Sequence, residues 1–418
     1  MAFSAQVSKP LRVLIPEGNS TSAREAVTIL GLSGHLVEVC DPSPYCLARF
    51  SRFVRKFHRC PGLRDDPAGF LAFVRRLLAT QHFDVLLPTH EQGFLFARVQ
   101  QRLAERVGLA LPSFASYRTA HSKAGFNRLL EQLGLPQPVT RIVGSEDELR
   151  AVVRFPCVIK TSVGTASRGV WLVRDDGELD EALRELSARR SFDDEVLVQE
   201  FIIGAIEKAQ AVFCRGELLG SHAYRQIAAG AGGGEAIKQS VERPQIRSAL
   251  AALGRKLAWH GALSVDYILR DDNAAPVFID CNPRLVEPMS AYLAGVDLLG
   301  LLLLVSLGEA PAAIAEGRAG VRTHLAMQAL LGCASQGGTR RDILRECRLL
   351  LAGEGPYAGS AEELTPARLD WVSVAPLAML ATVLLAAPKS ATTIATRGFG
   401  AHLLDPGSIQ LITDENFL

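Results

Sequence analysis

The residues Phe278-Ile279-Asp280-Cys281-Asn282-Pro283-Arg284 run from an apolar stretch into an acid, an amide and a guanidinium at alternate positions. Side chains two apart on an extended chain point the same way, so Asp280, Asn282 and Arg284 can face one pocket. A carboxylate and an amide carbonyl are hard oxygen donors suited to Mg²⁺, which completes its shell with phosphate oxygens and water. Arg284 adds a planar fork of donors for an anion. Upstream, Asp266 interrupts the apolar run Ser264-Val265-Asp266-Tyr267-Ile268-Leu269. An unpaired carboxylate in such a run is costly to bury. If this run pairs with Val277-Asp280 as a hairpin around Asp271-Asp272-Asn273, the two acids converge on one metal. The plainer alternatives are an ordinary Asn-Pro turn after a strand, and an Asp266 on a solvent-facing strand side.

Two lysines fall in settings that suit phosphate. Lys160 ends the apolar run Cys157-Val158-Ile159 and precedes a loop of small residues from Thr161 through Ser167 to Gly169. Small residues let backbone N–H groups close around phosphate oxygens while a lysine supplies the point charge. The loop does not match the G-x-x-x-x-G-K-[ST] pattern, so a P-loop is not supported. Lys123 stands at the start of a helical pattern, in Ser122-Lys123-Ala124-Gly125. Either lysine alone also reads as a solvated surface charge. Val196-Leu197-Val198-Gln199-Glu200-Phe201-Ile202-Ile203-Gly204 reads as a strand that exits into an apolar linker. Such a linker can offer backbone groups to a purine edge while Phe201 and Ile202 pack beside it.

The elements that would position these groups fall into three textures. To about residue 120, buried strands (Leu11-Ile15, Leu36-Cys40, Asp84-Pro88) alternate with amphipathic helices (Ser22-Leu30, Phe70-Leu78), which predicts a parallel sheet with crossovers. Ligands of such sheets gather at the carboxyl ends of the strands, here Pro16-Glu17-Gly18 and Thr89-His90-Glu91. From about 121 to 310 a helix over Ser122-Leu133 precedes strands at Cys157-Lys160, Val170-Val173, Val196-Gln199, Ala209-Phe213, Leu263-Leu269 and Val277-Asp280, with turn-rich connections that predict a largely antiparallel sheet. From 311 to 418 the chain is Ala- and Leu-rich and helical in pattern, with a short terminal strand expected at Ser408-Ile412 and no catalytic constellation. Trp371-Ala387, at roughly 17 apolar residues, is at the short limit for a bilayer and reads as a buried core helix.

Bulk composition narrows the classes. The 418 residues allow two or three domains, and 48% hydrophobic with 21% charged residues is ordinary for a globular chain. Forty-five Lys and Arg against 44 Asp and Glu leave a net charge of +1, which argues against nucleic acid as partner. Eight cysteines without C-x-x-C pairs suggest reduced thiols in a cytoplasm. Lys9 and Arg12 interrupt the N-terminal segment early, so neither a signal peptide nor a membrane association is expected.

The order of these motifs, Lys123, Pro156-Lys160 with its loop, Val198-Gly204, Asp266 and Asp280-Arg284, resembles the ATP-grasp superfamily over roughly residues 10 to 310. The resemblance is closest to carboxylate–amine and amino-acid ligases and to carbamoyl-phosphate-synthase-like members. It implies an α/β (α+β) fold in four parts: an N-terminal Rossmann-like domain (1–120), a mobile lid (121–197), a central antiparallel subdomain with the metal site (198–310) and a helical C-terminal region (311–418). It implies ATP and Mg²⁺ (or Mn²⁺) as cofactors. Lys123 and Lys160 would hold the phosphates under a lid closed by Thr161, Ser167 and Gly169. Gln199, Glu200, Phe201 and Ile202 would meet adenine, and Glu207 the ribose. Asp266, Asp280 and Asn282 would hold metal, and Arg284 an acyl phosphate. Tyr224 to Lys238 would be a flexible loop flanking the substrate, with Lys238 a further phosphate or catalytic group. Arg225, Arg243, His90 and Glu287 are candidates for contacting substrate. Glutamate is commoner in the family where Asp280 stands, one methylene longer. The implied activity is ADP-forming ligation of a small carboxylate to an amine, in a possible homodimer. An enol or bicarbonate as the activated group, and a decayed nucleotide-binding regulator, remain alternatives.

Overall fold

The computed structural model describes residues 9–164, 169–270, 275–397 and 403–414. Ser167 and the expected turn at Asp271-Asn273 lie outside the described residues.

Three sheets organise the chain. The first is parallel, in the order β3-β2-β1-β4, from β1 (Arg12–Ile15), β2 (Leu36–Asp41), β3 (Val54–Arg59) and β4 (Val85–Leu86). Its central strands are buried on both faces, the pattern expected when crossover helices cover a parallel sheet. The helix Thr21–Leu32 follows β1 directly; the Ser20 hydroxyl caps it by accepting from the Ala23 N–H at 3.0 Å.

The second sheet is antiparallel, in the order β5-β8-β6-β7, from β5 (Thr140–Val143), β6 (Cys157–Thr161), β7 (Val170–Val173) and β8 (Val196–Glu200). It carries its own small core, with Ile159, Val173, Val196 and Val198 packed under Leu179, Leu183 and Leu186 of the helix Asp176–Ala188.

The third sheet has seven strands in the order β13-β12-β9-β10-β11-β14-β15: β9 (Ala205–Cys214), β10 (Glu217–Ala229), β11 (Glu235–Val241), β12 (Gly261–Leu269), β13 (Val277–Asn282), β14 (Arg322–His324) and β15 (Ala361–Glu362). All its pairings are antiparallel except β14 with β15. One face packs Phe213, Leu263, Val265, Tyr267 and Phe278 against Trp259, Tyr117 and the helix Lys123–Leu133, in a core continuous with that of the parallel sheet. Burying a ring of this size is worth about 2–3 kcal/mol, which fixes the register that places the polar face.

Three expectations are corrected. Tyr224 to Lys238 is not a flexible loop: its ends are β10 and β11, joined through Gly230–Gly234, where Gly230 and Gly234 close the turn by a backbone bond of 2.8 Å. Ser408-Ile412 lies in a helix, Pro406–Thr413, because Asp405 caps it and Pro406 supplies the first-turn φ. Trp371-Ala387 forms a helix, Val374–Ala386, that is not a buried core helix: it buries Leu380 and Leu384 but leaves Met379 58% and Val383 45% exposed. Its side chains are apolar all round, so periodicity could not tell the packed side from the open one. Among the described residues no helix is long and apolar enough to cross a membrane.

Candidate active site

β12 and β13 pair so that Asp266 lies opposite Asp280 and Ser264 opposite Asn282, putting both acids and the amide on one face of the large sheet. β9 brings Lys208 opposite Asp266 on that face; its ammonium lies 3.5 Å from Asp266 and 2.6 Å from Glu235 of β11. Burial raises the Asp266 carboxyl to about 6; Lys208 opposes this, while Asp280 and Glu235 reinforce it.

Lys160, at the end of β6, reaches across from the second sheet and donates to the Ile279 carbonyl at 2.9 Å. It is nearly fully buried, and burial lowers its pKa to about 8, with Lys123 lowering it further and Asp280 and Asp266 opposing. Lys123 opens the helix Lys123–Leu133; its ammonium donates to the Gly164 carbonyl at 2.5 Å and lies 3.6 Å from Asp280. The Lys123 N–H donates to the Ser162 carbonyl, and the Ser122 and Ser162 hydroxyls meet at 2.8 Å, so the helix start and the segment just after β6 are tied together. Arg284 is buried beside Asn282, and burial lowers its pKa against the pull of Glu91.

These groups line one cavity of about 490 Å³, within the roughly 300–1,000 Å³ range of small-molecule sites. Its apolar end is walled by Val158, Phe201, Ile202, Ile206, Ile268 and Ile279, with Gln199 and Glu200 at the strand exit. The Gln199 amide donates to the Thr140 hydroxyl at 3.0 Å and the Glu200 N–H to the Val139 carbonyl at 2.9 Å. The polar end carries Lys123, Lys160, Lys208, Arg284, Asp266, Asp280 and Asn282. The same cavity is also lined by Ser20, Thr21 and Ser22 at the start of the helix Thr21–Leu32, by His90 and Glu287, and by Gln328, Leu331, Ala395 and Leu403 from the C-terminal region.

The structure thus gathers Lys123, Lys160, Gln199, Glu200, Phe201, Ile202, Asp266, Asp280, Asn282, Arg284, His90 and Glu287 at one cavity. Others it does not. Glu207, expected at the ribose, is fully buried on the opposite face from Lys208 and accepts from Arg225 (2.8 Å), Arg243 (2.9 Å) and the Tyr267 hydroxyl (3.0 Å). Adjacent strand residues face opposite sides, so Glu207 and Lys208 could not both reach the cavity. Arg225 and Arg243 are thereby held on that far face, away from substrate. Lys238 is fully buried between Glu287 and Glu363 (2.7 Å), so its charge is already matched and it does not line the cavity. The Thr161 hydroxyl turns back to the Val163 carbonyl at 2.6 Å, and the Thr161 N–H donates to the Gly169 carbonyl at 2.9 Å, which joins the end of β6 to the start of β7. Gly169 has a φ of +76°, and a Cβ there would sit 2.2 Å from the Thr161 Oγ1, so only glycine fits.

The donor set fits Mg²⁺ in kind. Two carboxylates and an amide oxygen share a face beside ammonium groups suited to phosphate. Among the described residues no three His, Cys, Asp or Glu side chains form a metal cage on their own. A bound ion would therefore draw part of its shell from phosphate and water, as Mg²⁺ usually does. The residues missed from sequence are Lys208, Glu235, Glu25 and Glu363. Lys208 could be found only by knowing the register of β9 against β12, which no local pattern carries.

Residues 120–288 match the ATP-grasp domain family and form an ATP-grasp domain; the resemblance read from the motif order is borne out. The fold is the one that family's solved members share. At the level of sequence the chain is similar to the carbamoyl phosphate synthase large chain of Thermus thermophilus, 28% identical over 215 residues that cover 47% of this chain and 20% of that one. It is 29% identical to an uncharacterised protein of Sinorhizobium fredii, over 54% of this chain and 50% of the other. The chain thus spans half or less of the length of these relatives. Among solved structures it is similar to the carboxyaminoimidazole ribonucleotide synthase of Aspergillus clavatus, complexed with ATP (TM-score 0.61, 17% identity, 90% of this chain and 99% of that one). It is also similar to the L-amino acid ligase of Bacillus licheniformis (TM-score 0.55, 19% identity, 72% and 75%).

Proposed function

We propose that this chain is an ADP-forming ligase that uses ATP to activate a small carboxylate for attack by an amine. The observation that carries the reading is the cross-strand pairing of Asp266 with Asp280 under two buried lysines that come from separate segments. Adenine packs at the apolar end, between Phe201, Ile202 and Ile268, with the triphosphate directed at Lys123, Lys160 and Arg284. Asp266, Asp280 and Asn282 would hold Mg²⁺, which would neutralise charge on the phosphates. Lys123 and Lys160 bind the γ-phosphate and stabilise the charge that develops as the substrate carboxylate takes it, leaving ADP. Arg284 orients the acyl phosphate. The lid loop above Lys160 excludes water until the amine displaces phosphate. No side chain of special basicity is required, because positioning and charge do the work. The substrates are small molecules and the setting is the cytoplasm, with a homodimer as the proposed assembly.

Phosphorylation of bicarbonate is the second reading, favoured by the similarity to a carbamoyl phosphate synthase large chain. A pairwise screen of small acids and amines for release of ADP and phosphate tests the proposal. Turnover that requires both an acid and an amine supports it. Turnover with bicarbonate alone replaces it with the second reading, and binding of ATP without any turnover replaces it with a regulatory role.

A further inference from the structure

Lys208 lines the cavity, yet the phosphate chemistry above assigns it nothing. It stands on β9, an interior strand paired on one side with β12 and on the other with β10, so backbone bonds along both edges fix where its side chain starts. Its ammonium joins two acids from different strands, Glu235 of β11 at 2.6 Å and Asp266 of β12 at 3.5 Å. Both acids line the same cavity.

Asp266, Asp280 and Glu235, with the Asn282 amide, give the polar end of the cavity oxygens enough for two divalent cations, the arrangement in which two ions stand about 3.5–4 Å apart over one transferred phosphate. Mg²⁺ bonds such oxygens at about 2.0–2.1 Å. Between Asp266 and Glu235 the chain's own ammonium already holds that ground. An ion added there would have to break both ion pairs or lie against a like charge in a weakly screened setting. Lys123 does not close the other half in the same way. Its ammonium gives a hydrogen bond to the Gly164 carbonyl and stays 3.6 Å from Asp280, which is the more exposed of the two facing acids.

We propose that Lys208 takes the place of a second divalent cation, leaving the acids and the amide to hold a single ion beside the nucleotide. The inference rests on the reading of this cavity as a nucleotide–metal site. An ammonium built into an interior strand supplies its positive charge at any metal concentration, and it leaves Asp266 no need of a second ion to balance it.

The test counts ions directly. The full chain, in slight excess over ADP, is titrated with Mn²⁺, and free Mn²⁺ is read from its electron paramagnetic resonance signal. Wild type is expected to bind one Mn²⁺ per bound ADP, and Lys208→Arg likewise. Lys208→Met is expected to take up a second, at least tenfold tighter than any second ion in wild type. Glu235→Gln keeps the Lys208–Asp266 pair and is expected to hold the single ion within twofold of the wild-type affinity. Two ions on wild type overturn the proposal. So does a Lys208→Met chain that is folded by circular dichroism and still binds only one. A tenfold loss of the single ion in Glu235→Gln overturns it as well, and this arm decides even where Lys208→Met does not fold. Each of these results leaves the nucleotide–metal reading standing; a wild-type chain that binds neither ADP nor Mn²⁺ overturns both.

Discussion

Replacing Lys238 by methionine removes the ammonium that pairs with both Glu287 and Glu363 while nearly keeping side-chain volume. Lys238 has no solvent exposure, and its charge is held well above the ordinary lysine range; burial opposes this, and Glu287 and Glu363 more than offset it. Breaking a buried ion pair by removing one partner costs about 3–5 kcal/mol, because the other charge stays buried without its counter-ion. Here two carboxylates lose their partner, so the upper half of that range is expected at alkaline pH. The pH dependence has a definite sign. Burial raises the Glu363 carboxyl above its unfolded value even with Lys238 present. For a group so raised, stability is fully present below the unfolded value, near 4.5, and is lost as pH rises through the folded one. Without Lys238 the folded value rises further, and the window of loss extends upward. Urea unfolding followed by tryptophan fluorescence should therefore show Lys238→Met losing more stability, relative to wild type, at pH 8.5 than at pH 6. Adding Glu287→Gln should recover part of the loss. A loss below about 1 kcal/mol, or one equal at both pH values, would refute the reasoning, since surface-like pairs are worth no more than that.

Other outcomes follow from the same geometry. Asp280→Ala and Lys160→Ala should each abolish ADP release while far-ultraviolet circular dichroism and melting stay near wild type; full activity in either removes the proposed phosphate–metal site. Gly169→Ala must place a methyl on the Thr161 hydroxyl in a left-handed backbone, so we expect kcat to drop at least tenfold with nucleotide affinity less affected, read by steady-state kinetics and titration. Glu207→Gln should destabilise the fold by about 2–4 kcal/mol through its lost charge-assisted bonds to Arg225 and Arg243, yet leave KM for ATP unchanged; a raised KM would return Glu207 to the ribose.

Much of the fold could be read from periodicity. The buried runs at Arg12–Ile15 and Leu36–Asp41 and the capped helix after Ser20 specify a parallel sheet, since each pattern is local. The strand at Val54–Arg59 was missed because Arg55, Lys56, His58 and Arg59 give it a polar face at the sheet's edge. β10 and β11 were read as loop because the glycines between Gly230 and Gly234 mask two strands that flank a tight turn. The site divides along the same line. Asp280 and Asn282 sit two apart on one strand, and its pairing with the strand of Asp266 follows from their proximity in sequence, so their common face was foreseeable. Glu207 failed because choosing between it and Lys208 needs the register of β9, which packing across the sheet sets. The Lys238–Glu287–Glu363–Glu25 cluster joins residues up to 338 positions apart, and no window of sequence contains it.

The central claim is that one triphosphate–metal cluster is held between the acids of the large sheet and the lysines of the lid and its neighbouring helix. A crystal structure of the chain with MgADP tests it most directly. The account predicts adenine against Phe201 and Ile202, the β-phosphate within hydrogen-bonding reach of Lys160 or Lys123, and the ion on Asp266 or Asp280. Nucleotide bound elsewhere, or an ion that touches neither acid, contradicts it.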